Sequence, residues 1–145
     1  MSTISWATPA AIATALTTEL NSLADGSYSA ASSAYDNLTN LYLYCQLELV
    51  LASLTPATGG YIAVYLVKQL DGTNYEDGGG ATAPRATSLV YTFDLSTSTG
   101  AKRQISMPFP IPPCPFKFVL YNKSGVSLNA SGNTLKYKVG NETVA

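Results

Sequence analysis

The sequence predicts an all-β fold: a two-sheet antiparallel β-sandwich of jelly-roll type, six to eight strands, with one short N-terminal helix. Two observations carry that expectation. Six segments alternate apolar and polar residues with period two, and only one segment has helical spacing. Turn residues punctuate the alternating segments roughly every ten positions, the rhythm of short antiparallel strands. Successive side chains of a strand point to opposite faces, so each alternating segment is expected to bury one face and expose the other.

The helical candidate comes first. Thr8 can cap a helix, Pro9 occupies the favoured first position, and Ile12, Leu16, Leu20 and Leu23 recur at helical spacing until Asp25-Gly26. Trp6, the single tryptophan, precedes the cap and could fold back as a hydrophobic staple. Residues 1–26 are therefore read as an N-terminal anchoring segment and 27–145 as the β domain. From Ser27 to Asn40 the chain is small and polar, a loop or weak edge strand with Tyr28 and Tyr35 as anchors.

The clearest strands lie between Leu41 and Leu70. Leu41, Leu43, Cys45, Leu47, Leu49 and Leu51 share one parity, against Tyr42, Tyr44, Gln46, Glu48 and Val50 on the other. After the breaker Thr55 to Gly60, Ile62, Val64 and Leu66 form the apolar side of Tyr61–Val67. Asp71 to Ala86 reads as a long loop. A third strand alternates Leu89, Tyr91, Phe93 and Leu95 with Ser88, Val90, Thr92 and Asp94, and Ala101–Met107 is a weaker fourth. Met107 to Pro115 contains five of the eight prolines and is expected to stay out of any ladder. Phe116, Phe118 and Leu120 mark a fifth strand, and Leu135, Tyr137 and Val139 a sixth.

Composition narrows the function. The 145 residues suffice for one domain with its own core. Charged residues are 12% of the chain, about half the usual fraction, replaced mainly by small polar residues. Such a neutral surface repels copies of itself weakly, which suits a subunit of an assembly; a Ser/Thr-rich β domain of any role has the same composition. The net charge of −1, with Lys102-Arg103 the single adjacent cationic pair, argues against nucleic acid, whose phosphates need clustered cations. No apolar run is long enough for a membrane span, and neither a cationic n-region nor a long apolar h-region marks a secretory signal. Cytoplasmic synthesis is expected, and the four Asn-x-Ser/Thr triplets, at Asn37, Asn122, Asn129 and Asn141, then follow from composition alone.

Chemistry-bearing groups are few. Without histidine the chain cannot build a Ser-His-Asp or Cys-His centre. Glu48 and Asp94 are the carboxylates whose strand positions could be tested for glycosidase geometry, and nothing else supports that reading. Asp71, Glu76 and Asp77 could offer oxygens to Ca²⁺, but Tyr75 and Thr82 occupy two EF-hand ligand positions, and a solvated turn explains the same residues. No enzymatic activity, cofactor or metal is expected. Cys45 should pack as a small hydrophobe and Cys114 should be accessible, with a disulfide possible only if the proline segment crosses the first strand.

Ten tyrosines against four phenylalanines are the more informative set. Tyr42, Tyr44, Tyr61 and Tyr65 should crowd the non-leucine faces of neighbouring strands, as an interface or sugar platform or beneath the N-terminal helix. The proline segment, with Phe109 and Ile111, is either a rigid arm toward a neighbouring subunit or a crossover between sheets.

Taken together, Ile4-Ser5-Trp6-Ala7-Thr8-Pro9, the stretch from Thr18 to Gly26 and the strand pair from Tyr42 to Leu70 resemble small virion structural proteins of tailed bacteriophages, closest in style to head-decoration (cement) proteins. The resemblance implies a β-sandwich body, an N-terminal element gripping the capsid lattice, and symmetric copies. The expected function is non-enzymatic decoration and stabilisation of the capsid surface in the virion. The partners are the major capsid protein, or another virion protein, and further copies of the chain, preferably in a trimer. Interface candidates are Trp6, Ile12, Leu16, Tyr42, Tyr44, Tyr61, Tyr65, Phe109 and Ile111. The alternative is a tail-attached adhesion or carbohydrate-binding β-sandwich module.

Overall fold

A computed structural model describes residues 2–144. Its strands, in chain order, are β1 (Ile4–Trp6), β2 (Ala13–Leu16), β3 (Ser27–Tyr28), β4 (Tyr44–Leu54), β5 (Tyr61–Lys68), β6 (Leu89–Asp94), β7 (Gly100–Ile105), β8 (Phe109–Pro110), β9 (Phe116–Lys123), β10 (Thr134–Gly140) and β11 (Glu142–Val144). The fold is all-β and every strand pairing is antiparallel. One sheet runs β2-β10-β4-β7, with β8 also on β4, and the other runs β3-β9-β5-β6. The pairs nest: β5–β6 lies inside β4–β7, inside β3–β9, inside β2–β10, inside the separate ribbon β1–β11.

The leucine parity of β4 faces inward, with Leu47, Leu49 and Leu51 fully buried. On β10, Tyr137 stands opposite Leu47 and Leu135 opposite Leu49, the parity read from the sequence. Ile62, Val64 and Leu66 of β5 lie beside Asn122, Leu120 and Phe118 of β9. Both sheets feed a single apolar cluster that also contains Leu16, Leu20, Phe93, Phe109 and Ile111. Removing this much apolar surface from water is the dominant favourable term for the fold.

The N-terminal helix is corrected. Among the described residues there is no α-helix, and residues 13–20 form β2 followed by a 3-10 turn, Thr18–Leu20. Without them the outer edge of β10 would carry unpaired backbone groups. Residues 7–16 fill that edge: Ala7 donates to the Asn141 carbonyl at 2.8 Å, Ala10 donates to Val139 at 2.9 Å, and Leu16 stands opposite Leu135. A lone helix of this length is marginal in water, so long-range pairing overrides its weak periodic signal. Leu16 and Leu20 enter the core shared with residues 27–145, while Ile12 is exposed.

Three further expectations change. Leu41 and Leu43 lie outside β4 and are exposed, because the buried Asn37 amide binds both the N–H and the carbonyl of Tyr42, at 2.9 Å each, and Leu41 takes a positive φ of 48°. The proline segment does join a ladder. Its prolines alternate with residues that keep an N–H, Pro110 and Phe109 pair with Tyr44 and Cys45, and Ile111 donates to the Leu43 carbonyl at 3.0 Å. The segment then crosses from the first sheet to β9 in the second. Cys114 is buried rather than accessible, and both cysteines are free thiols.

The Ser27–Asn40 segment behaves as a weak edge. Only Ser27 and Tyr28 form strand, and farther along Ser29 and Ser32 accept the N–H groups of Leu120 and Phe118 through their hydroxyls at 3.0 and 2.9 Å.

Candidate functional site

The tyrosines expected on neighbouring strands are divided between opposite sides of the molecule. β4 and β5 belong to different sheets, so Tyr44 faces out from one and Tyr61 and Tyr65 from the other. Two surfaces therefore need separate accounts.

On the outer face of β3-β9-β5-β6, Tyr28, Tyr61, Tyr65 and Tyr121 pack together. Tyr28 stacks on Tyr121 with centroids 4.5 Å apart and meets Tyr65 edge-on at 6.1 Å, while Tyr61 and Tyr121 are 6.3 Å apart. Ala63 lies among them in register with Tyr121 and is almost fully buried. Burial raises the phenol pKa of Tyr28 and Tyr65, with smaller contributions from neighbouring tyrosines, Tyr61 and Tyr121 in both cases. The rest of this face is roofed by the chain itself. A Cβ on Gly78 would lie 3.0 Å from Val67 Cγ2, and one on Gly79 3.4 Å from Val119 Cγ2.

The other surface is uncovered. Along β1–β11, Ile4 stands opposite Val144, Ser5 opposite Thr143 and Trp6 opposite Glu142. Directly opposed residues share a face, so Ile4, Trp6, Val144 and Glu142 line one side of the ribbon and Ser5 and Thr143 the other. The described residues leave the apolar side open: Ile4 and Val144 are each 67% exposed and Trp6 61%. It continues onto the sheet, where the Trp6 ring meets Tyr44 edge-on at 5.2 Å. The Tyr44 hydroxyl donates to Glu142 Oε1 at 3.1 Å, a bond that raises its pKa by favouring the protonated phenol. Trp6, Pro9, Tyr44, Gln46, Pro108, Lys138, Val139 and Gly140 enclose a groove of about 310 Å³, predominantly apolar. Ile105 and Met107, just before Pro108 in sequence, are also exposed.

The remaining interface candidates fall elsewhere. Leu16, Phe109 and Ile111 are buried in the chain's own core, and Tyr42 packs against it half-buried. Ile12 is exposed on the approach to β2. Sequence reasoning selected Trp6 and Tyr44 but missed Ile4, Val144, Pro9 and Pro108. The Ile4/Trp6 alternation around Ser5 was a readable signal for the first of these; its β11 partner has no local signature.

The polar candidates resolve into structural roles. Glu48 takes an ion pair from Arg103 at 2.6 Å on the outer face of one sheet, whereas Asp94 stands in register with Tyr61 on the outer face of the other, so the two carboxylates do not face one cleft. Asp71 holds its own loop: Oδ1 accepts the N–H groups of Thr73 and Asn74 at 2.8 and 2.7 Å, and Oδ2 accepts Asn74 Nδ2 at 2.9 Å. Those bonds, Asn74 N–H foremost, lower its pKa to about 2. Glu76 pairs with Lys68 at 3.4 Å and Asp77 with Arg85 at 3.5 Å. Among the described residues no three Cys, Asp or Glu groups converge as a metal site. Burial pushes the Cys45 thiol up to about 12, so it stays protonated at neutral pH. Among the described residues no helix is long and apolar enough to cross a membrane. Neither a family model nor a curated protein matches this sequence.

Proposed function

We propose that the chain is a non-enzymatic structural subunit that decorates and stabilises a phage capsid, gripping the major capsid lattice through the apolar side of β1–β11. The observation that carries this reading is the amphipathic ribbon: three large apolar side chains aligned on one face, left 61–67% exposed by the described residues. Exposed contiguous apolar surface in an otherwise well-buried protein marks a docking site. The finer fold assignment belongs to the same proposal. The nested pairs, distributed alternately between the two sheets, support a jelly-roll sandwich, an architecture used in viral capsids and also in lectins. The separation of Glu48 from Asp94 and the lack of histidine support the non-enzymatic part. Symmetric copies, with a trimer preferred, complete the reading.

The test is binding to purified empty heads of the phage that encodes the chain. The full chain should bind in fixed stoichiometry, and a chain lacking residues 1–7 should not. That truncation spares Leu16 and Leu20, whose removal would damage the core. Equal binding by both chains would overturn the reading. The rival, a tail-adhesion or carbohydrate-binding module, draws on the Tyr28–Tyr121 cluster. Retention on a glycan array without head binding would favour it.

A further inference from the structure

The ribbon β1–β11 is built unlike the rest of the molecule. It is a sheet of its own, three residue pairs long, and is hydrogen-bonded into neither of the larger sheets. All six of its residues are exposed. In the next pair inward, β2–β10, Leu16 stands opposite Leu135 and both are fully buried. Among the described residues, one hydrogen bond joins the ribbon's own residues to the sheet, from the Tyr44 hydroxyl to Glu142. Its base is fixed by Asn141, whose backbone carbonyl accepts the Ala7 N–H and whose side-chain oxygen accepts the Leu43 N–H, each at 2.8 Å. An isolated two-stranded ribbon is marginal in water, and parting β1 from β11 removes no residue of the core cluster.

Parting the strands dismantles the docking side all the same. Ile4 and Trp6 belong to one strand, Val144 and Glu142 to the other, so the four form a shared surface only while the strands are paired. The Trp6 ring meets Tyr44 in that paired form. Reclosure is local. Once β2 lies on β10, residues 7–12 alone separate β1 from β2, and Asn141 alone separates β10 from β11. Such short connections hold the strand ends close together, so the ribbon re-forms without reassembly of the body.

We infer that β1–β11 is a clasp that opens and closes independently of the sandwich, and that the lattice binds only the closed form. The first half stands on this chain alone; the second deepens the proposed function and rests on it. Stability is not uniform across a fold, and a segment with few buried contacts opens below the global transition. Lattice binding then draws the clasp toward closure. The affinity observed is the intrinsic affinity reduced by the closed fraction.

Unfolding of the full chain in urea tests the clasp without any heads. Trp6 is the single tryptophan, so its emission follows the ribbon while far-UV circular dichroism follows the sheets. The emission should change at lower urea than the dichroism. The double variant Ser5→Cys/Thr143→Cys supplies the lock: the pair is directly opposed on the polar side, with Cα atoms about 4.5–5.5 Å apart, within reach of a disulfide. Oxidised, its two transitions should coincide; reduced, the early step should return, with the dichroism midpoint of the wild type. Coincident transitions in the wild type overturn the clasp, as does an early step that survives the disulfide. Heads test the second half. At the urea concentration where the reduced variant's ribbon is half open, the oxidised form should bind heads about twice as tightly. Equal affinities overturn the coupling. Absence of binding by either form overturns the capsid reading and the coupling with it, while the urea transitions still decide the clasp.

Discussion

The two outer faces of this molecule carry aromatic residues to opposite ends. On β3-β9-β5-β6 the tyrosines pack on one another around Ala63, and the Gly78–Gly79 loop roofs Val67 and Val119. On the side of β2-β10-β4-β7, Trp6 and Tyr44 touch each other but no described residue closes over them, and the ribbon carries its apolar side beyond the sheet. The same residue types thus serve internal packing on one face and leave an open surface on the other. Aromatic content alone does not locate a docking site; what decides is whether the chain supplies its own cover.

The largest expected effect breaks the frame on which both faces rest. Leu47→Asp or Phe118→Asp puts an unpaired charge at a buried position, costing several kcal/mol against a total stability of roughly 5–15. Neither variant should give a cooperative melt, whereas Lys123→Ala should. A folded Leu47→Asp protein would mean the β4 register is displaced by one residue.

Leu16→Ala comes next, at about 2–5 kcal/mol in denaturant unfolding, because it opens a cavity beneath β2. This prediction sharpens the distinction within residues 1–26 between core strand and exposed ribbon. A loss under about 0.5 kcal/mol would mean β2 does not pack as described. Gly78→Ala tests the roof over the tyrosine side. Its Cβ would meet Val67 Cγ2 and Pro84 Cγ at 3.0 Å, with φ at +151°, so a loss of about 1–3 kcal/mol is expected. Trp6→Ala, by contrast, should change stability by about 1 kcal/mol or less, the scale of one edge-on aromatic contact.

The smallest effect is acid sensitivity in the Asp71 turn. Its folded pKa is lowered from 3.8 to about 2, so its contribution is present above 3.8 and is lost as pH falls toward 2. Melting temperature measured across that window should fall slightly less steeply in Asp71→Asn than in wild type. Identical slopes would mean the carboxylate does not hold the turn.

Much of this fold was legible where neighbours in sequence are neighbours in a strand. Ile62, Val64 and Leu66, and Phe116, Phe118 and Leu120, were assigned to the buried face by alternation alone. The reading failed where partners are distant. Ile12, Leu16, Leu20 and Leu23 mimic helical spacing, yet the free edge of β10, more than a hundred residues away, draws residues 13–16 into a strand. Leu41 and Leu43 kept the right parity but lost the strand to the Asn37 amide. The candidate surface was half legible: Trp6 and Tyr44 stood out as aromatics, while the pairing of Ile4 with Val144 that builds the ribbon is a long-range event with no local signal.

The contrast between the covered and uncovered faces is tested most directly by amide hydrogen exchange of the full chain, free and bound to empty heads. Among the described residues neither β1 nor β11 has a partner on its outer edge, so their amides should exchange readily when free. On heads, peptides spanning residues 2–7 and 141–144 should slow markedly, while peptides containing Tyr28, Tyr61 and Tyr121 should keep their free-state rates. Slowing at the tyrosine peptides with an unchanged ribbon would contradict the account.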